Sequence, residues 1–125
     1  MHKGIVLKTN GDKKLIDLEL DNILKQSYRE LDVQTIDIVT VKIDDIFVNI
    51  IVDDEGLLKD DPHVTVSSNL RNLYGNVLIL PNDIDEEGRY FRGLNEHEID
   101  TINNNIQTLI DTDQKLLRDV LVFVE

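Results

Sequence analysis

The chain has no cysteine and no tryptophan, only two prolines and one methionine, and aromatic residues make up 5% of it. Without cysteine there is no disulfide, no thiolate nucleophile and no zinc–thiolate site, and an intracellular setting fits that composition. No apolar run approaches the roughly 20 residues that a membrane helix needs. Met1-His2-Lys3-Gly4 lacks the apolar stretch of a signal peptide and runs directly into a strand-like segment, so a soluble cytoplasmic protein is expected. Catalytic signatures are scarce as well: there is no Gly-x-Ser-x-Gly elbow, no Walker-type loop and no dinucleotide fingerprint. Positive charge is the last shortage. The formal net charge is -12, from 25 acidic and 13 basic residues, which disfavours direct binding to a phosphate backbone.

What is present is a globular balance. Hydrophobic residues make up 41% of the 125 positions and charged residues 30%, enough apolar surface for one domain to bury a core without cross-links. The acids are spread along the chain rather than gathered in a tail, with 14 acids against 8 bases up to Pro62 and 11 against 5 after it.

Hydrophobic periodicity divides the chain into elements. Lys3 to Lys8, the turn pair Asn10-Gly11 and Ile16, Leu18 and Leu20 at period two predict an amino-terminal hairpin. Asp21 offers an N-cap for a short amphipathic helix whose inward residues are Leu20, Ile23, Leu24, Tyr28 (or Ser27) and Leu31. The period then changes to two. Ile36 to Ile43 and Ile46 to Val52, joined by Asp44-Asp45, read as a central hairpin closed by Asp53-Asp54-Glu55-Gly56. Leu57 to His63 reads as a surface excursion, because Pro62 excludes a helix there. Ser67 or Ser68 is placed to cap a short helix through Leu70 and Leu73 that Gly75 stops, and Val77 to Leu80 fits a buried strand bounded by Pro81.

After the acidic turn Asp83 to Gly88 and a short aromatic strand, Asn95-Glu96-His97-Glu98 forms a capping box. It starts a helix expected from about Glu96 to Asp111 on the stripe Ile99, Ile102, Ile106, Leu109 and Ile110. The end of the chain is ambiguous between helix and strand, with a strand favoured from Val120. The expected fold class is α+β, a mostly antiparallel sheet of about five to six strands covered on one side by two to three helices.

Few residues point to chemistry. Asp83, Asp85, Glu87 and Gly88 match positions 1, 3, 5 and 6 of a calcium loop, but Leu94 stands where the bidentate glutamate belongs, so no metal site is expected. His2, His63 and His97 lie at no ligand spacing to one another; His63 sits near Asp60 and Asp61, and His97 reads as a solvated position in the first helical turn. Tyr90, Phe91 and Arg92 have the composition of a contact site, with alternation burying one aromatic and exposing the other. The carboxylates Asp44, Asp45, Asp53, Asp54, Glu55, Asp60, Asp61, Asp83, Asp85, Glu86 and Glu87 would present an acidic surface if their two segments converge. Spaced carboxylates of that kind resemble a phosphate backbone and could occupy the basic groove of a DNA-binding protein.

The segments Asp53-Asp54-Glu55-Gly56-Leu57-Leu58-Lys59, Leu73-Tyr74-Gly75-Asn76-Val77-Leu78-Ile79-Leu80, Asp85-Glu86-Glu87-Gly88 and Gly93-Leu94-Asn95-Glu96-His97-Glu98-Ile99 together resemble a family of small uncharacterised proteins, a domain of unknown function. Its members occur on plasmids, phages and conjugative elements, mainly of Gram-positive bacteria. The resemblance covers roughly the first hundred residues, departs between Asp60 and Asn72, and leaves a tail after about Asn103. It implies an accessory protein of a mobile genetic element and transfers no active-site residue. The expectation is therefore a non-enzymatic protein with no cofactor, acting through a protein partner as a DNA mimic or anti-defence factor. The alternative is a binder of a small anionic, nucleotide-like molecule at Tyr90, Phe91 and Arg92. A homodimer through Ile46 to Val52 or Val120 to Val124 is a further expectation.

Overall fold

The computed structural model describes residues 2–56, 63–111 and 116–125, the side chains of Asp111 and Leu116 excepted. The expected surface excursion at 57–62, with Asp60 and Asp61, lies outside them. The chain opens with the hairpin β1 (Lys3–Leu7) and β2 (Lys13–Asp17). Of the pair Asn10-Gly11 only Gly11 takes positive φ, and the Gly11 amide bonds the Lys8 carbonyl around Thr9-Asn10, so the connection is not a two-residue Asn-Gly turn. A single 3-10 turn at Leu20–Asn22 leads into α1 (Ile23–Leu31). Asp21 does not cap this helix. The N-cap is Asn22, without a side-chain hydrogen bond, and the entry is held by Gln26, which accepts from the Glu19 amide and donates to the Asp17 carbonyl. That polar task turns Gln26 and Ser27 inward beside Ile23 and Leu31, and it leaves Leu24 and Tyr28, expected inside, exposed.

The change of period after α1 produces the strands it predicts. β3 (Ile36–Ile43) and β4 (Ile46–Asp53) pair along eight positions around the two-residue turn Asp44-Asp45, with Asp44 at φ 53°. The helix expected from Ser67 or Ser68 is instead a second hairpin, β5 (Val64–Ser68) and β6 (Asn72–Tyr74). β-Branched residues favour extended chain at its start, and the Ser68 hydroxyl accepts from the amides of Leu70 and Arg71, which builds a turn rather than a helix cap. Gly75 is left-handed, at φ 93°, but it bends β6 into β7 (Val77–Pro81) instead of ending a helix.

α2 (Glu96–Asn104) carries both halves of the capping box. It ends seven residues before the expected stop at Asp111. Asn103 and Asn104 are poor helix formers, and the Asn105 side chain donates to the Thr101 carbonyl and the Asp44 carboxylate, which seals the end. Ile106 onward then enters β8 (Ile106–Asp111), paired with β9 (Leu116–Phe123), so the chain end is strand and begins earlier than Val120.

Among the described residues the strands form two sheets rather than one. The first has the order β2-β1-β7-β4-β3 and is antiparallel throughout; the second is β6-β5-β9-β8, with one parallel pair, β5 and β9. The α+β class holds, but the first sheet is covered on both faces. Ile5, Leu7, Val48, Ile50 and Ile79 pack against Val66, Leu121 and Phe123 of the second sheet and Ile102 of α2. Val6, Ile51, Leu78 and Leu80 pack on the other face against Ile23 and Leu31 of α1 and against Tyr90. Residues after Asn103 thus supply β8, β9 and part of the main core.

Pro81 shapes the joint that follows. Continuing the β1–β7 register beyond Ile5↔Ile79 sets Lys3 opposite Pro81, which has no N–H to offer. The Lys3 carbonyl accepts from the Leu94 amide at 2.7 Å instead. Gly93 and Leu94 are thereby drawn across the start of β1, and both are buried.

Candidate acidic interaction surface

Tyr90, Phe91 and Arg92 do not form a strand beyond one bridge between Ile84 and Tyr90, and their three side chains part company. Tyr90 is buried, and its hydroxyl accepts from Asn49, whose own Oδ1 accepts from Thr40 on β3. Burial pushes the Tyr90 phenol above its ordinary pKa, and the Asn49 hydrogen bond only partly offsets this. Phe91 is 68% exposed, so the expected alternation of buried and exposed aromatics is present without a regular strand.

Arg92 is engaged within the fold. Its guanidinium donates to both carboxylate oxygens of Glu98, at 2.5 and 3.1 Å, to Asp83 and to the Gly93 carbonyl. Glu98 in turn completes the α2 cap by accepting from the Asn95 amide at 2.9 Å. Burial pushes the Glu98 carboxyl up, but Arg92 and that amide outweigh it and hold the group below its usual range. The hydrogen bonds to Glu98 raise Arg92 further above its already high value. An anionic ligand at this guanidinium would have to displace two carboxylates.

The carboxylates divide between the two ends of the first sheet. Asp44 and Asp45 share one end with the Asp83 to Glu87 turn, because β4 begins where β7 finishes. Many of these are paired: Asp45 with His97 at 2.9 Å, Asp44 with Asn105, Asp83 with Arg92, and Asp85 and Glu87 with Arg89. The Asp85 carboxylate also accepts the amides of Glu87 and Arg89, and the Arg89 amide is the main reason its pKa falls. This is an Asx-type turn closed by Gly88 at φ 81°. Among the described residues no three histidine, aspartate or glutamate side chains are placed to share a metal ion.

At the other end, Asp53 finishes β4, Asp54 and Glu55 follow it, and the Asp53 carboxylate accepts the Glu55 amide. Here a cleft of about 210 Å³ opens between the β3 edge and β6, lined by Asp37, Val39, Val52, Asp53, Asp54, Leu73 and Tyr74 among others. Asp37 belongs to this group, and its signal in sequence is its place as an acid inside a β-branched run. A second cleft of about 210 Å³ lies between β2 and α2, lined by Ile5, Lys13, Lys14, Leu15, Ile99 and Asn103; the Lys13 ammonium donates to Asn103, and that of Lys14 pairs with Glu30 of α1. His2 is exposed, and the His63 carbonyl accepts the Gly75 amide.

Comparison with protein-family models, with curated proteins and with solved structures returned no match.

Proposed function

We propose that this chain is a non-enzymatic protein that binds a basic protein partner through the carboxylates grouped around the β3–β4 hairpin. The observation that carries the reading is the polarity of the first sheet. One edge, β2 and β1 with their turn, bears Lys3, Lys8, Lys13 and Lys14 against Asp12 and Asp17; the opposite hairpin bears Asp37, Asp44, Asp45, Asp53, Asp54 and Glu55 against Lys42 alone. The acids at its two ends are separated by seven rises, about 23 Å at 3.3 Å each. A field of that size and sign steers a basic groove toward this edge. A nucleic-acid-binding protein is the partner class that fits, and the chain would then act as a DNA mimic or anti-defence factor. The resemblance to proteins of plasmids, phages and conjugative elements supports an accessory role on such an element.

A pull-down from host cytoplasm at low and high salt tests this. The expected result is a partner retained at low salt, released at high salt, displaced by duplex DNA, and lost when Asp44, Asp45, Asp53 and Asp54 are replaced by asparagine. No partner in either salt, or one indifferent to the four substitutions, overturns the reading.

A second reading has its own observation. A small anionic molecule would sit in the cleft between β2 and α2, where Lys13 stands beside an apolar floor of Ile5, Leu15 and Ile99, rather than at Arg92, whose guanidinium bonds two carboxylates.

A further inference from the structure

Among the described residues four strands lie at sheet edges: β2, β3, β6 and β8. The strands expected to offer a dimer edge do not, since β4 is flanked by β3 and β7 and β9 by β5 and β8. β2 carries Lys13 and Lys14, which blunt an edge, and β6 is three residues long. β3 differs. It runs eight residues in unbroken register with β4, has no proline and no bulge, and is rich in β-branched residues. No described strand pairs with its outer side.

The register fixes which backbone groups face outward. In a two-residue hairpin the pair flanking the turn, Ile43 and Ile46, exchanges hydrogen bonds, so Val41, Val39 and Asp37 also face β4. The N–H and C=O groups of Ile38, Thr40 and Lys42 therefore face away from the sheet. The side chain of Asp37 accepts the Ile38 amide at 2.9 Å, a local cap of the kind a partner strand replaces. Beside this edge, on the Val39 face, lies the cleft whose walls are Val39, Val52 and Leu73 and whose rim carries Asp37 and Asp54. On the opposite face Ile38 and Phe47 are partly exposed.

We infer that β3 receives an extended, lysine- or arginine-rich segment of the partner as an added strand, with one basic side chain of that segment entering the cleft. Main-chain hydrogen bonds to Ile38, Thr40 and Lys42 hold the segment, and its alternate side chains fall on the Val39 face. A lysine or arginine stem lies on Val39, Val52 and Leu73 while its charged head meets Asp37 and Asp54. A second copy of this chain is a poor occupant. Antiparallel self-pairing about Thr40 would set the Asp44-Asp45 turn of one copy beside Asp37 and Asp54 of the other. The inference rests on the acidic-binder reading and names the mode of contact.

The test uses the full chain and a fluorescent peptide that alternates lysine and valine, with anisotropy as the readout. Lys42→Pro removes an outward amide and leaves the bonds to β4 in place. It also removes a positive charge, so electrostatics alone predicts tighter binding, whereas strand addition predicts a loss of at least about tenfold. Lys42→Gln, which keeps the amide, should bind at least as well as wild type. Circular dichroism verifies that the fold of each variant is intact. The same peptide N-methylated on alternate residues probes the ladder without touching the protein and should lose binding equally. Asp37→Asn with Asp54→Asn should weaken binding several-fold, and Glu86→Gln with Glu87→Gln should not.

Equal binding of the N-methylated peptide, or of a folded Lys42→Pro variant, overturns strand addition while leaving the acidic-binder reading intact. If sedimentation shows a dimer that Lys42→Pro dissolves, the occupant is a second copy and the inference is wrong. Failure of the charge-neutralised hairpin variant to lose any basic partner sinks the acidic-binder reading itself.

Discussion

Arg92→Ala is expected to lower the stability of the fold by about 2 kcal/mol, roughly 5–10 °C in melting temperature for a chain of this size. The substitution strips Glu98, whose side chain is 7% exposed in the intact pair, of its charge partner. A buried ion deprived of its partner usually costs more, but two features discount it here. The Arg92 side chain is 36% exposed, so solvent already screens the pair, and Glu98 keeps the Asn95 amide. Glu98→Gln should cost about half as much, because glutamine still closes the capping box. The double variant should then be little worse than Arg92→Ala alone. Urea unfolding of the four proteins measures the coupling, and strict additivity of the two effects would mean that the pair is not a unit.

The same pair has a defined pH dependence. The folded Glu98 pKa lies below its ordinary value of 4.5, so the pair contributes fully above that pH, where the unfolded chain is also ionised. The contribution is lost as pH falls from about 4.5 through the folded pKa, because the unfolded chain takes up the proton first. The stability gap between wild type and Glu98→Gln should therefore close on acidification and stay constant above neutrality. A gap that widened toward acid would contradict the assignment.

Strand propensity and turn chemistry were legible wherever local chemistry decides. Asp44-Asp45 and the box Asn95 to Glu98 each fix their own geometry within a few residues and stand as read, while Asn10-Gly11 marks its hairpin although Gly11 alone takes positive φ. What was illegible depends on partners distant in the chain. Ile106, Leu109 and Ile110 continue the helical stripe of α2 by spacing alone, and only pairing with Leu121, Arg118 and Leu117 makes them a strand. Ser68 is an N-cap or a turn residue according to whether Val66 to Ser68 find β9 beside them. The division into two sheets follows from these late pairings, and so does the burial of both faces of β4. For the candidate site, the exposure of Phe91 could be read from alternation, but the engagement of Arg92 could not, since Glu98 reaches it only when α2 turns back on the acidic turn. The acidic hairpin was visible as composition. Its place at the edge of the first sheet, opposite the lysine-bearing hairpin, is a matter of strand order that no local pattern encodes.

Gly93→Ala should cost about 2–3 kcal/mol, at the upper end for one added methyl group. A Cβ at this position would lie 2.2 Å from the Lys3 amide nitrogen and 2.6 Å from the His2 carbonyl carbon. These neighbours are backbone, so no side-chain rotation relieves the clash, and either the 93–94 strap or the start of β1 must move. The strap cannot move cheaply. The Leu94 amide bonds the Lys3 carbonyl that Pro81 leaves unserved, Leu94 is buried in the main core, and the Gly93 carbonyl receives Arg92. The start of β1 is tied in turn by the Leu18 amide, which donates to the His2 carbonyl at 2.8 Å. Hydrogen exchange at the Leu94 and Leu18 amides should rise along with the loss of stability, because both bonds share the displaced segment. Gly88→Ala is the control. Nothing lies within 4 Å of its added Cβ, so its cost comes from the positive φ alone and should stay near 1 kcal/mol, with no change in exchange at Leu94. Equal losses in the two variants would mean that Gly93 is required for its backbone freedom and not for the close approach of the strap to β1.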